Sequence, residues 1–128
     1  MYKTVLVKDL IEDGENLLRK LDEERFPITA AFWYYSPDRM RWRLFIATSL
    51  VESKGPLHAY TRIRRALSKM QDASLSLDDI SVVSPLDNEF KELWSQVEDL
   101  ALVSHLERPA RMRDVVFEDG YVYRSLSR

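Results

Sequence analysis

Apolar and polar positions alternate with two different periods along this chain, and the change of period marks its elements. Residues 28–35 (Ile28-Thr29-Ala30-Ala31-Phe32-Trp33-Tyr34-Tyr35) are almost all aromatic, small or β-branched, the composition of a pleated strand. Ser36-Pro37-Asp38-Arg39 supplies turn chemistry, Pro fixing φ and Asp bonding nearby backbone. Met40-Arg41-Trp42-Arg43-Leu44-Phe45-Ile46-Ala47 then alternates apolar and basic in its first half, the period of a returning strand. A loop over 36–39 sets Tyr35 opposite Met40, Tyr34 opposite Arg41, Trp33 opposite Trp42 and Phe32 opposite Arg43. One face of this hairpin is then apolar, and the other places guanidinium groups beside aromatic rings. A slip of one residue would turn the arginines inward, so burial is expected to fix the register.

Helical spacing governs the segments on either side. Over 5–24, Leu10, Ile11, Gly14, Leu17, Leu18 and Leu21 recur every three or four residues, acids occupy the other side, and Pro27 ends the run. Gly14 costs about 1 kcal/mol against Ala in a helix interior, unless it allows a neighbour to approach closely. Lys54-Gly55-Pro56 breaks the second strand, and Pro56 suits a helix's first turn. Leu57, Tyr60, Ile63, Leu67 and Met70 follow as one stripe, expected to pack on the hairpin's apolar face. Residues 71–79 are a polar connection and Ile80-Ser81-Val82-Val83 a short strand. Ser84 then reads as an N-cap with Pro85 at the first helical position, ahead of a stripe of Phe90, Leu93, Trp94, Val97, Leu100 and Ala101. Beyond Pro109, Val115-Val116-Phe117 and Tyr121-Val122-Tyr123 flank Asp119-Gly120, a dipeptide favoured in two-residue hairpin turns; one long strand bulged at Gly120 is the competing reading. The order α-β-β-α-β-α-β-β predicts a single α+β domain over 1–128, a mainly antiparallel sheet with helices packed against it.

Composition narrows the class. With 45% hydrophobic and 31% charged residues the chain is globular rather than disordered, and 128 residues suffice for one core. The absence of cysteine removes disulfides and thiolate metal sites. No apolar run reaches the ~20 residues of a membrane helix, and the opening residues lack the pattern of a signal peptide. A cytoplasmic protein is the expectation.

Several stretches resemble a known group. Ala31-Phe32-Trp33, Trp42-Arg43-Leu44 with Ile46-Ala47-Thr48, Lys54-Gly55-Pro56 with Tyr60, and the ending Glu118-Asp119-Gly120-Tyr121-Val122-Tyr123-Arg124 are similar to a family of small bacterial proteins of unassigned function. The resemblance covers most of the chain through fold motifs. It implies a bacterial cytoplasmic protein and supplies no activity.

Charge is the most informative functional feature. Residues 1–38 carry five basic and eight acidic residues, 39–70 eight basic and one acidic, and 71–128 six basic and twelve acidic. A basic centre thus lies between acidic flanks, although the net charge is only −2. Arginine suits forked contacts to carboxylate or phosphate, and Tyr and Arg are enriched where binding energy concentrates. Arg41, Arg43, Arg62 and Arg65, with Tyr34 beside them, are therefore the candidate partner-binding residues of a non-enzymatic interaction module. Its partner would be a protein or a second copy of the chain, with nucleic acid the alternative; a pI near 5.7 falls short of the basic domains typical of nucleic-acid binders. The competing reading is that these arginines pair with the chain's own acids or solvate one face.

Catalytic patterns are sparse. Pro37-Asp38 followed by Glu52-Ser53-Lys54 matches the loose PD-(D/E)xK arrangement of metal-dependent nucleases, in which two carboxylates hold Mg²⁺ and a lysine positions water. An unbroken strand would hold Asp38 and Glu52 on the order of 40 Å apart, so a shared metal needs a bend near Thr48-Ser49. His58 and His105 lack spaced partners, Gly14, Gly55 and Gly120 form no phosphate-cradling loop, and Glu118-Asp119 point to opposite faces of a strand. No catalytic residue, metal site or cofactor is expected.

Overall fold

The computed structural model describes residues 8–36, 40–104, 111–117 and 120–126. Helix α1 (Lys8–Glu23) leads into strands β1 (Ala30–Ser36) and β2 (Arg41–Ala47); two helices follow, α2 (Leu50–Lys54) and α3 (Pro56–Ser68). A 3-10 turn (Leu77–Asp79) precedes β3 (Ile80–Val83), then come α4 (Asn88–Ser104), β4 (Arg111–Phe117) and β5 (Gly120–Leu126). The five strands lie in the order β3-β2-β1-β5-β4, antiparallel except where β3 runs parallel to β2. This is the expected α+β domain, with one short helix added.

Helices cover both faces of the sheet. On one face Leu17, Leu18 and Leu21 of α1 and Ala59, Ile63 and Ala66 of α3 pack on Ala31, Trp33, Leu44, Ile46, Ile80 and Val82. On the other, Phe90 and Val97 of α4 pack on Ala30, Phe32, Ala47 and Val122, with Phe45, Leu93 and Trp94 completing the cluster. The face of the hairpin expected to show arginines beside rings to solvent is therefore a second core.

The hairpin register differs from the expected one by two residues. Tyr35 pairs with Trp42, Tyr34 with Arg43, Trp33 with Leu44 and Phe32 with Phe45. Side chains alternate with period two, so a two-residue shift leaves every residue on its own face, and burial cannot distinguish the two registers. Aromatic pairing can. The observed register stacks Phe32 on Phe45 at 5.3 Å and sets Tyr35 edge-on to Trp42 at 5.5 Å. Two such pairs contribute about 0.5–1.5 kcal/mol each beyond burial. Met40, now outside the strand, takes a left-handed φ of 53°.

Helix boundaries shift for local reasons. Helix α1 ends before Pro27, in a Schellman turn: Phe26 N–H bonds Leu21 O at 2.9 Å, Arg25 N–H bonds Asp22 O at 3.0 Å, and Arg25 adopts φ 60°. Strand β2 stops at Ala47, and the chain coils into α2 before Gly55 (φ 91°) separates it from α3. Of the expected stripe of α3, Tyr60, Ile63, Leu67 and Met70 pack on the core and Leu57 does not. Ala59, Ile63 and Ala66 are buried, while Leu57 is 79% exposed. The small alanines let α3 approach the sheet. Asp87 rather than Ser84 caps α4, its carboxylate accepting Glu89 N–H at 3.0 Å. Ser84 instead accepts Leu86 N–H and donates to the Glu52 carboxylate.

Strands β4 and β5 pair antiparallel as a hairpin rather than one bulged strand, but Gly120 opens β5 opposite Phe117 and is not in the turn, which corrects the Asp119-Gly120 turn; Glu118 and Asp119 lie outside the described residues. Between β1 and β5 the register slips at Ala31/Phe32, and Tyr123 sits at the slip. Its hydroxyl accepts the Trp33 indole N–H at 2.8 Å and donates to Ile11 O at 2.5 Å. A methyl group at Gly14 would lie 2.8 Å from Tyr123 Cζ, so glycine is what lets α1 close on this ring.

Candidate functional site

The five residues singled out from the sequence separate into two groups on opposite faces of the sheet. Arg41 and Arg43 stand two residues apart on β2, and Tyr34 pairs with Arg43, so all three share the α4 face; Arg62 and Arg65 ride on α3, against the other face. The expectation that they gather on one patch is therefore corrected. Strand alternation fixes the first group and helix α3 the second, and the sheet lies between.

Within the first group the cations are occupied. Arg43 is only 9% exposed, its Nε donating to Ser81 Oγ at 2.7 Å and its two terminal nitrogens to Asp78 O and Ile80 O, both at 3.1 Å. It clamps β3 and the preceding turn onto β2, the side chain serving the fold rather than the surface. Arg41 is exposed and pairs with Asp79 at 2.8 Å, reaching Asp78 O at 3.4 Å. Asp79 in turn closes a capping box with Ser76. Tyr34 is half-buried against the α4 cluster. For this group the sequence's competing reading, arginines satisfied inside the chain, describes the geometry.

The second group builds a basic surface. Arg62, Arg65 and Lys69 follow at i, i+3 and i+7, one side of a helix, and meet the C-terminal turn of α1. Arg62 Nη2 donates to Glu24 O at 2.8 Å while its guanidinium lies 5.3 Å from the centre of the Phe26 ring. Lys69 Nζ reaches Glu24 Oε2 at 3.0 Å. The Lys69 hydrogen bond, opposed by partial desolvation and aided by the charges of Lys69, Arg62 and Arg65, holds the Glu24 carboxyl below its usual range. Three cations thus surround one carboxylate, an excess of two positive charges. Arg64 and Arg65 are exposed and have no ion-pair partner among the described residues. Helical spacing in the sequence already puts Lys69, with Arg62, Arg64 and Arg65, off the apolar stripe of this helix. Glu24 and Phe26 were not, because nothing in a linear pattern joins them to residues some 40 positions away.

Beside this cluster, a polar groove of about 340 Å³ runs between α1 and the end of α3, lined among others by Lys20, Glu23, Lys69 and Met70. Asp13 at its rim accepts Ser74 N–H at 2.6 Å and Leu75 N–H at 3.1 Å, fastening the 69–76 connection to α1.

For the nuclease pattern, the chain does turn at Thr48, yet Glu52 and Lys54 lie on α2, at the end of β2 opposite the hairpin loop. Seven strand residues separate the two ends by about 20 Å. Asp38 and His105 lie outside the described residues, and His58 is exposed on α3. Among the described residues no three His, Asp or Glu side chains could together hold a metal ion, and no helix is long and apolar enough to cross a membrane.

The fold and this surface together define a single α+β domain that presents fixed positive charge on a helical layer. Comparison with protein-family profiles, curated proteins and solved structures returned no match.

Proposed function

We propose that the protein is a non-enzymatic interaction module, cytoplasmic and of the small bacterial type its motifs resemble, that holds an acidic protein segment on α3. The observation that carries this reading is the pair of exposed guanidiniums at Arg64 and Arg65, beside an Arg62–Lys69–Glu24 cluster that is already positively charged. Carboxylates of a partner find two free forks there, and Arg is the better residue for such contacts. Arg65 and Arg62 keep their assigned roles, Lys69 and Arg64 join them, and Arg41, Arg43 and Tyr34 leave the site.

Fluorescence anisotropy with a labelled Asp/Glu-rich peptide, beside a DNA oligonucleotide of equal charge, tests the reading. Peptide binding that Arg64→Glu/Arg65→Glu abolishes is the expected result. Peptide binding unchanged by the reversal rejects it. Binding of DNA alone, with an affinity falling steeply in salt through counterion release, would transfer the surface to nucleic acid.

A further inference from the structure

One carboxylate already sits on the basic surface, and it is the chain's own. Glu24 follows the last turn of α1, and its backbone is fastened without help from its side chain. Its N–H bonds Lys20 O at 3.1 Å and Leu21 O at 3.2 Å, and its carbonyl accepts Arg62 Nη2 at 2.8 Å. The carboxylate itself accepts Lys69 Nζ at 3.0 Å, and the charges of Arg62 and Arg65 act on it as well. Both members of the Glu24–Lys69 pair reach solvent, their side chains being 28% and 56% exposed.

We infer that Lys69 and Arg65 form the seat for a carboxylate of the bound acidic segment, and that the Glu24 side chain is its resident competitor. This rests on the reading of α3 as an acidic-segment binder and names where the segment's charge lands. Lys69 caps α3 in near-helical backbone, φ −88° and ψ −8°, so it stands one turn beyond Arg65. Side chains at that spacing are neighbours, about 5–6 Å apart at Cβ, close enough for one carboxylate to meet both. That Glu24 occupies the place shows the chemistry it accepts.

Exchange of one carboxylate for another costs little here, because an ion pair this exposed contributes little in either state. Nothing else has to move. Arg62 bonds the Glu24 carbonyl rather than its carboxylate, and its guanidinium lies 5.3 Å from the centre of the Phe26 ring, so the end of α1 stays closed while the side chain swings aside. The approach is open, since Lys69 lines the polar groove between α1 and the end of α3. Lys20, which lines the same groove, has no ion-pair partner among the described residues and adds positive charge. Of the acids there, Asp13 is engaged by Ser74 N–H and Leu75 N–H, whereas Glu23 is exposed and without an ion-pair partner among the described residues.

Fluorescence anisotropy with the labelled Asp/Glu-rich peptide at pH 7 separates displacement from simple charge. Glu24→Gln and Glu23→Gln each remove one negative charge at the same end of α1, but only the first releases Lys69. Glu24→Gln is expected to tighten peptide binding about threefold to fivefold, the upper range in which exposed ion pairs act. Glu23→Gln, acting only through screened charge, should tighten it less than about twofold. In a Lys69→Gln background the gain from Glu24→Gln should disappear, because the two residues act through one contact. Circular dichroism confirms that each variant is folded. A Glu24→Gln gain no larger than that of Glu23→Gln, or one that persists without Lys69, overturns the inference while α3 remains the binding surface. A peptide that neither the wild type nor any variant binds at low salt ends both readings.

Discussion

Replacing Tyr123 by Phe deletes one oxygen atom, and the structure assigns that atom two bonds. It accepts the Trp33 indole N–H at 2.8 Å and donates to Ile11 O at 2.5 Å, joining β1, β5 and α1. Trp33 is fully buried, so its N–H would lose its acceptor with no water to replace it. A buried donor left unsatisfied costs about 1–3 kcal/mol. A loss of about 2 kcal/mol is expected, or about 8 °C in melting temperature for a domain of this size. Urea and thermal unfolding followed by far-UV circular dichroism measure it independently of the altered tryptophan emission. Gly14→Ala alone should cost about 1–3 kcal/mol through overpacking against the phenol, and less in the Tyr123→Phe background, since the two sites share that contact. A Tyr123→Phe protein within about 0.5 kcal/mol of the wild type would refute the reasoning, because a hydroxyl bridging three elements could not then be removed so cheaply.

The same side chain sets an alkaline limit. Burial raises the Tyr123 phenol above its ordinary value of 10.0, with the Trp33 hydrogen bond acting in the opposite direction. The unfolded chain therefore ionises first. Its contribution to stability is complete below pH 10 and is lost as pH rises toward the folded value, by about 1.4 kcal/mol per pH unit. Tyr123→Phe should flatten that limb of the stability profile.

Three further outcomes follow from the same geometry. Arg43→Lys should destabilise by about 3 kcal/mol and raise amide exchange in β3, because one ammonium cannot reach Ser81 Oγ, Asp78 O and Ile80 O together; near-wild-type exchange would remove the clamp. Asp87→Ala should cost about 1 kcal/mol in urea unfolding, and Ser84→Ala clearly less, since Asp87 is the residue that caps α4. Glu24, held below its model-compound value of 4.5, contributes stability that is present above that pH and lost as pH falls through its folded value. Glu24→Gln should flatten the acid limb of unfolding there, and an unchanged limb would show that the Lys69 pairing has no thermodynamic weight.

Much of the architecture was written in local pattern. Composition and period placed α1, the hairpin, β3 and the body of α4, because each buries a stripe that its own spacing makes visible. Gly14 was legible as a point of close approach, although not the ring that approaches it. The register was not, because a two-residue slip preserves every buried face and only the Phe32–Phe45 and Tyr35–Trp42 pairings separate the alternatives.

The candidate site divides along the same line. The sequence by itself determined that the centre of the chain is basic, that Arg62, Arg64, Arg65 and Lys69 lie off the apolar stripe of a helix, and that one α+β domain would carry them. Only the tertiary structure decided which arginines remain available. It buried Arg43 beneath β3, matched Arg41 to Asp79, and brought Glu24 and Phe26 to Arg62 from about 40 residues away. Charge is a property of composition, but its neutralisation depends on distances between side chains, and those are fixed by how the helices and the sheet pack.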